Sequence, residues 1–150
     1  TLYPGVAMVE GANVSVGRGT DTPFELLGAP WIRAEEFAGY LNNRGIRGIT
    51  FLPVDFMPRG SRFKNEVCHG VKMILNDRQS LNSPTLGIEI ISALYQLYPQ
   101  AFQVDKTLSL IGAQWILQAV KDGQAPGFIA GNWEKSLEEF MKVRSKYLLY

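Results

Sequence analysis

The sequence predicts an α+β fold: a small mixed or antiparallel sheet with packed helices, and a helical C-terminal half. Two observations predict it. The first half holds short segments rich in Val, Ile and Phe, closed by Gly, Pro, Asn and Asp. The second half holds longer segments whose apolar residues recur at the helical period, and the two kinds do not alternate regularly.

In order, Val6 to Ser15 carries short apolar stretches broken by Gly11 and Asn13, then the turn-rich Gly17-Arg18-Gly19-Thr20-Asp21. Phe24 to Pro30 is compatible with a short strand or one helical turn. Thr22-Pro23-Phe24-Glu25 has the form of a capping box with proline at the first helical position. Leu26-Leu27-Gly28 leaves room for barely one turn, so the strand is preferred. Ala34 to Asn43 is a helix with Phe37, Tyr40 and Leu41 on one side, stopped by Gly45. Ile46 to Phe56 is a strand interrupted by Pro53 and closed by Pro58, which implies an edge or a bulge. In Val67 to Leu75, Val67, Val71, Met73 and Leu75 share one face of a strand, and Asn76-Asp77-Arg78 supplies the turn.

Pro84 to Tyr98 carries a wide apolar stripe, Leu86, Ile90, Ile91, Leu94, Leu97 and Tyr98, and ends at Pro99. A shorter helix at about Gly112 to Lys121 presents Trp115, Ile116 and Ala119. The last helix is expected from Asn132, as cap, to Lys146, with Trp133, Leu137, Phe140 and Met141 pointing inward.

A chain of 150 residues fits one domain and is long enough to bury most of its apolar surface. With 46% hydrophobic and 19% charged residues it has an ordinary globular composition. The net charge of +1, with no clustered basic footprint, argues against a nucleic-acid partner. One cysteine, Cys68, excludes an internal disulfide. No apolar run approaches the roughly 20 residues of a membrane span, and no signal peptide stands at the N-terminus. The abrupt Tyr3-Pro4-Gly5 start suggests a piece of a longer chain.

The segment from Glu10 to Glu25 gathers Glu10, Asn13, Ser15, Arg18, Thr20, Asp21 and Glu25, with three glycines that permit close backbone approach. Polar, Gly-rich loops beside strands commonly build sites, although the same residues also satisfy turns in ordinary surface loops. Gly17-Arg18-Gly19 matches neither a Walker motif nor the dinucleotide fingerprint. Glu10, Asp21 and Glu25 offer candidate carboxylates for glycoside hydrolysis, which needs two. A salt bridge from Arg18 to Asp21 or Glu25 is the structural alternative.

Cys68 and His69 are adjacent, but neighbours on a strand point to opposite faces and cannot form a dyad. With one cysteine and one histidine, no metal-ligand spacing exists. Cys68 is read as a small buried residue and His69 as facing outward or toward a cleft. Trp115, Trp133, Phe140 and Tyr95 fall at helical spacing and are read as core. Trp31, after Gly28-Ala29-Pro30, suits core and cleft equally.

These residues form a pattern. Glu10-Gly11-x-Asn13-Val14-Ser15-Val16-Gly17-Arg18-Gly19-Thr20-Asp21-x-Pro23-Phe24-Glu25, then Gly28-Ala29-Pro30-Trp31, resembles the long motif of a bacterial family catalogued as DUF1343. That family is associated with exo-β-N-acetylmuramidase activity. Phe51-x-Pro53, Phe56-x-Pro58, Cys68-x-Gly70-Val71, Asp77-Arg78, Leu97-Tyr98-Pro99 and Tyr147-Leu148-Leu149-Tyr150 agree in order, so the resemblance covers essentially the whole chain.

The resemblance implies a two-domain glycoside hydrolase: a larger Rossmann-like N-terminal domain, absent from this chain, and residues 1–150 as the C-terminal domain. The cleft between them takes the non-reducing ends of peptidoglycan fragments and releases terminal N-acetylmuramic acid. It implies an exported, periplasmic or extracellular enzyme without a cofactor. Its main catalytic acid would lie on the absent domain, so this chain alone would be inactive. Its partners would be muramyl sugars and its own N-terminal domain. The substrate-binding candidates are Glu10, Asn13, Ser15, Arg18, Gly19, Thr20, Asp21, Glu25, Trp31 and His69. Arg18 is the natural receptor for the lactyl carboxylate of muramic acid, with the amides beside Gly17 and Gly19 nearby. A non-catalytic carbohydrate- or protein-binding module is the rival class.

Overall fold

The last strand-forming segment of the sequence lies at the centre of the sheet. In the computed structural model, which describes residues 1–148, β3 (Cys68–Leu75) stands between β1 (Leu26–Ala29) and β2 (Ile49–Phe56) in the order β1-β3-β2. Both pairings are antiparallel, β1 running from Leu26↔Lys72 to Ala29↔His69 and β2 from Ile49↔Leu75 to Phe56↔Cys68. The register of β2 is continuous and pairs with β3 alone, so Pro53 sits on an edge without a bulge.

Alternation decides the faces. Leu27, Phe51, Val71 and Met73 are all buried and form the inner face. Helices α2 (Ala34–Asn43) and α3 (Ser83–Leu97) pack near it, α2 against β2, β3 and α3. Helix α3 buries Leu86, Ile88, Ile90, Ile91 and Leu94, a wider apolar surface than one stripe, as befits a central helix. Its N-terminus is capped by Asn82, whose side chain accepts from the Thr85 amide at 3.1 Å. Glu89, nearly buried within α3, is met by Arg44 at the end of α2, with Nε–Oε2 2.8 Å and Nη2–Oε1 3.2 Å.

Several boundaries differ from the sequence reading. The chain begins with α1 (Tyr3–Val6) and a 3₁₀ turn (Ala7–Val9), so helix precedes strand. Residues Thr22 to Glu25 form turns and not a capping box, and the strand reading of the following residues holds. A second 3₁₀ turn (Val104–Thr107) and α4 (Leu108–Ile111) lead to α5 (Gln114–Lys121), which starts after left-handed Gly112. The last helix, α6, runs Pro126–Arg144, so Asn132 is an interior residue and not its cap; Pro126 suits a first turn because its missing N–H is no loss there.

Only the start of α6 reaches the core. Ile129 is fully buried and Trp133 partly so, but Leu137, Phe140 and Met141 are 51%, 58% and 46% exposed, contrary to the inward orientation expected. Trp115 is also exposed, so of the four helical aromatics only Tyr95 and Trp133 pack against the core. Helical period groups residues on a face but does not supply the surface that the face meets. Leu149 and Tyr150 of the closing motif lie outside the described residues.

Candidate functional site

The block from Glu10 to Glu25 is a loop laid along the sheet and fastened at several points. Ser15 and Gly28 exchange backbone hydrogen bonds of 2.8 and 3.0 Å, extending the sheet by one bridge. The Phe24 amide donates to the Val16 carbonyl at 2.7 Å, closing the loop between them. Farther out, the Arg59 amide donates to the Gly19 carbonyl at 2.8 Å. Gly19 has φ +83°, and a Cβ there would stand 2.4 Å from the Gly60 nitrogen, so the loop tip and the segment after β2 touch backbone to backbone.

The ten candidate residues divide by position. Gly19, Thr20 and Asp21 line a recess of about 320 Å³ together with Leu26, Phe56, Met57 and Arg59. Glu10 and Ser15 line a neighbouring recess of about 270 Å³ with Ser61 and Arg62. Glu25 opens on a third recess, beside Tyr3, Lys72 and Arg78. Glu10, Asp21 and Glu25 therefore border three different recesses, whereas hydrolysis with two carboxylates needs them across one bond.

Some candidates are held by structure. Both polar atoms of the Asn13 side chain are engaged: Nδ2 donates to the Ala101 carbonyl and Oδ1 accepts from the Gln103 amide, each at 2.8 Å. Ser15 is buried and its Oγ accepts from the Gly17 amide at 3.3 Å. Thr20 Oγ1 donates to the Gly17 carbonyl at 2.6 Å and accepts from the Thr22 amide at 3.3 Å. Arg18 pairs with Glu10, not with Asp21 or Glu25, and its guanidinium carbon lies 4.9 Å from the centre of the Phe24 ring. The hydrogen bond to Glu10 raises the Arg18 pKa further above its ordinary value.

Trp31 and His69 lie apart. The Trp31 ring packs edge-on to Tyr98 at 5.5 Å and beside Phe102 at 6.4 Å, while its buried Nε1 has no hydrogen-bond partner among the described residues. His69 faces the same side of the sheet as Val71, opposite Leu26 and Phe56 by alternation. Its Nδ1 lies 2.6 Å from Oδ1 of Asp55, its cross-strand neighbour. Cys68, on the other face, is fully buried, and burial pushes its thiol up to about 11. The strand argument against a Cys68–His69 dyad therefore holds.

Sequence reasoning passed over Asp55, Met57, Arg59 and Arg62. The signal was Phe56-x-Pro58-Arg59-Gly60-Ser61-Arg62, a polar Gly-containing loop after a strand, like the block it touches. Among the described residues no group of three His, Cys, Asp or Glu side chains is placed to hold a metal ion.

Fold and site define an α+β domain that presents a polar, arginine-bearing rim beside a short antiparallel sheet. The chain belongs to the family of the C-terminal domain of exo-β-N-acetylmuramidase NamZ, which it matches over residues 1–150. It is 38% identical over 152 residues to the peptidoglycan β-N-acetylmuramidase NamZ of Bacillus subtilis (strain 168), an alignment covering 99% of this chain and 37% of that protein. Two crystal structures of DUF1343 family proteins from Bacteroides fragilis NCTC 9343 share the fold, with TM-scores of 0.82 and 0.67. Each is 24% identical, and 99% of this chain covers 41% and 40% of theirs. The chain thus spans about two fifths of the length of these relatives.

Proposed function

We propose that this domain forms one wall of the substrate cleft of an exo-β-N-acetylmuramidase. The complete enzyme removes terminal N-acetylmuramic acid from the non-reducing end of peptidoglycan fragments, outside the cytoplasm. A Rossmann-like N-terminal domain supplies the other wall and the main catalytic acid. One observation carries the reading: the whole chain matches the NamZ C-terminal family, and the longest motif of the chain is the loop that bears the polar rim. The scattering of Glu10, Asp21 and Glu25 over three recesses supports a catalytic carboxylate elsewhere in the protein. Asp21 and Glu25, from their separate recesses, would accept hydrogen bonds from sugar hydroxyls.

The test compares the full-length protein with residues 1–150 on a chromogenic β-N-acetylmuramide. Turnover by the full-length protein and none by the domain is the expected result. A full-length protein inactive on every muramide would overturn the reading.

A further inference from the structure

We propose that the recess between residues 19–22 and 56–59 is a subsite for a carboxylate-bearing sugar, with Arg59 as the partner of that carboxylate. The inference rests on the muramidase reading and assigns a residue to its substrate selectivity. Muramic acid differs from glucosamine by a lactyl ether that ends in a carboxylate, so selective recognition calls for a cation, and a guanidinium offers two parallel donors.

Four arginines stand around the signature loop: Arg18 within it, Arg59 and Arg62 at the recesses of Asp21 and Glu10, and Arg78 beside Glu25, away from Asp21. Arg18 already gives Nε and Nη2 to Glu10 and lies on Phe24, which makes it half of a neutral pair. Arg59 and Arg62 form no ion pair among the described residues. Arg59 shares its recess with Asp21, which is also unpaired among the described residues. A guanidinium and a carboxylate that border one recess without meeting leave room for a ligand between them. Arg59 would take the lactyl carboxylate and Asp21 a hydroxyl or amide hydrogen of the sugar. Leu26, Phe56 and Met57, the last 52% exposed, give the recess an apolar side for the ring face or a methyl group.

The backbone holds Arg59 in place. Its amide is bonded to Gly19, and the Pro58 carbonyl accepts from the Asn65 amide at 2.8 Å. Ser61, Phe63 and Asn65 have φ of 64°, 58° and 62°, three left-handed residues that are not glycine within five positions. Such strain persists where the surroundings enforce it, and it concentrates at ligand-binding sites.

The experiment uses full-length protein and two chromogenic substrates, a β-N-acetylmuramide and its lactyl methyl ester. Wild type should prefer the acid by about 10- to 100-fold in kcat/KM, the range of a charge-assisted hydrogen bond. Arg59→Ala should shrink that preference to about 3-fold or less, at unchanged melting temperature, and Arg59→Lys should restore part of it. An unchanged preference in Arg59→Ala, or its loss in Arg62→Ala or Arg18→Ala instead, overturns the assignment. If wild type cleaves neither substrate, the muramidase reading has failed. Calorimetric binding of free N-acetylmuramic acid against its methyl ester then decides the subsite by the same comparison.

Discussion

The carboxylate of Glu10 holds the guanidinium of Arg18, while the Phe24 ring lies beneath it at 4.9 Å. The contact ties the start, the tip and the end of the signature loop together. Arg18→Ala in the full-length protein should therefore lower hydrolysis of the muramide acid and its ester in the same proportion, with a small drop in melting temperature. Glu10→Gln should act the same way. A loss confined to the acid substrate would return the carboxylate to Arg18.

The pair of Glu89 and Arg44 joins two helices around a carboxylate that is almost removed from water, its side chain 10% exposed. Removing the arginine leaves that charge without a partner. Arg44→Met is expected to cost about 1–3 kcal/mol of stability, read from the denaturant midpoint. Combining it with Glu89→Leu should cost less than the sum of the two single changes. Additive losses would show that the two side chains act independently.

Cys68 lies in the core with its thiol pushed up to about 11 from 9.0. A group whose folded pKa is raised stabilises the fold fully below its unfolded pKa, and loses that contribution as pH rises through the folded value. Stability should therefore fall between about pH 9 and pH 11, and Cys68→Ala should flatten that part of the profile. A thiol reagent at neutral pH should label Cys68 slowly in the native protein and fast in denaturant. Rapid native labelling would place the thiol at an accessible surface.

Two glycines invite opposite outcomes from the same change. A Cβ at Gly70 would stand 2.0 Å from the Leu27 carbonyl oxygen, so Gly70→Ala should force β1 away from β3 and destabilise by more than about 2 kcal/mol. Gly39, on the exposed face of helix α2, has nothing within 4 Å, and Gly39→Ala should stabilise by about 0.5–1 kcal/mol. Thermal unfolding of both variants checks the pair, and equal effects would refute the steric argument.

The sequence by itself determined the elements whose partners are their own neighbours. Period two put Val67, Val71, Met73 and Leu75 on one face, of which Val71 and Met73 are buried while Val67 and Leu75, at the ends, are 46% and 37% exposed. Period 3.6 marked Phe37 and Leu41 in α2 and the stripe of α3, because alternation and helical pitch are local properties. The block from Glu10 to Glu25 was likewise visible as a run of residues. Tertiary structure alone decided what each polar group meets. Asn13 is spent on Ala101 and Gln103, some 90 positions away, and Gly19 rests on Gly60. Arg59 was inconspicuous in the sequence because nothing local records that its loop folds back to Asp21. The inward orientation expected of Leu137, Phe140 and Met141 failed for a related reason: a helix fixes which residues share a face, whereas burial depends on the surface packed against it.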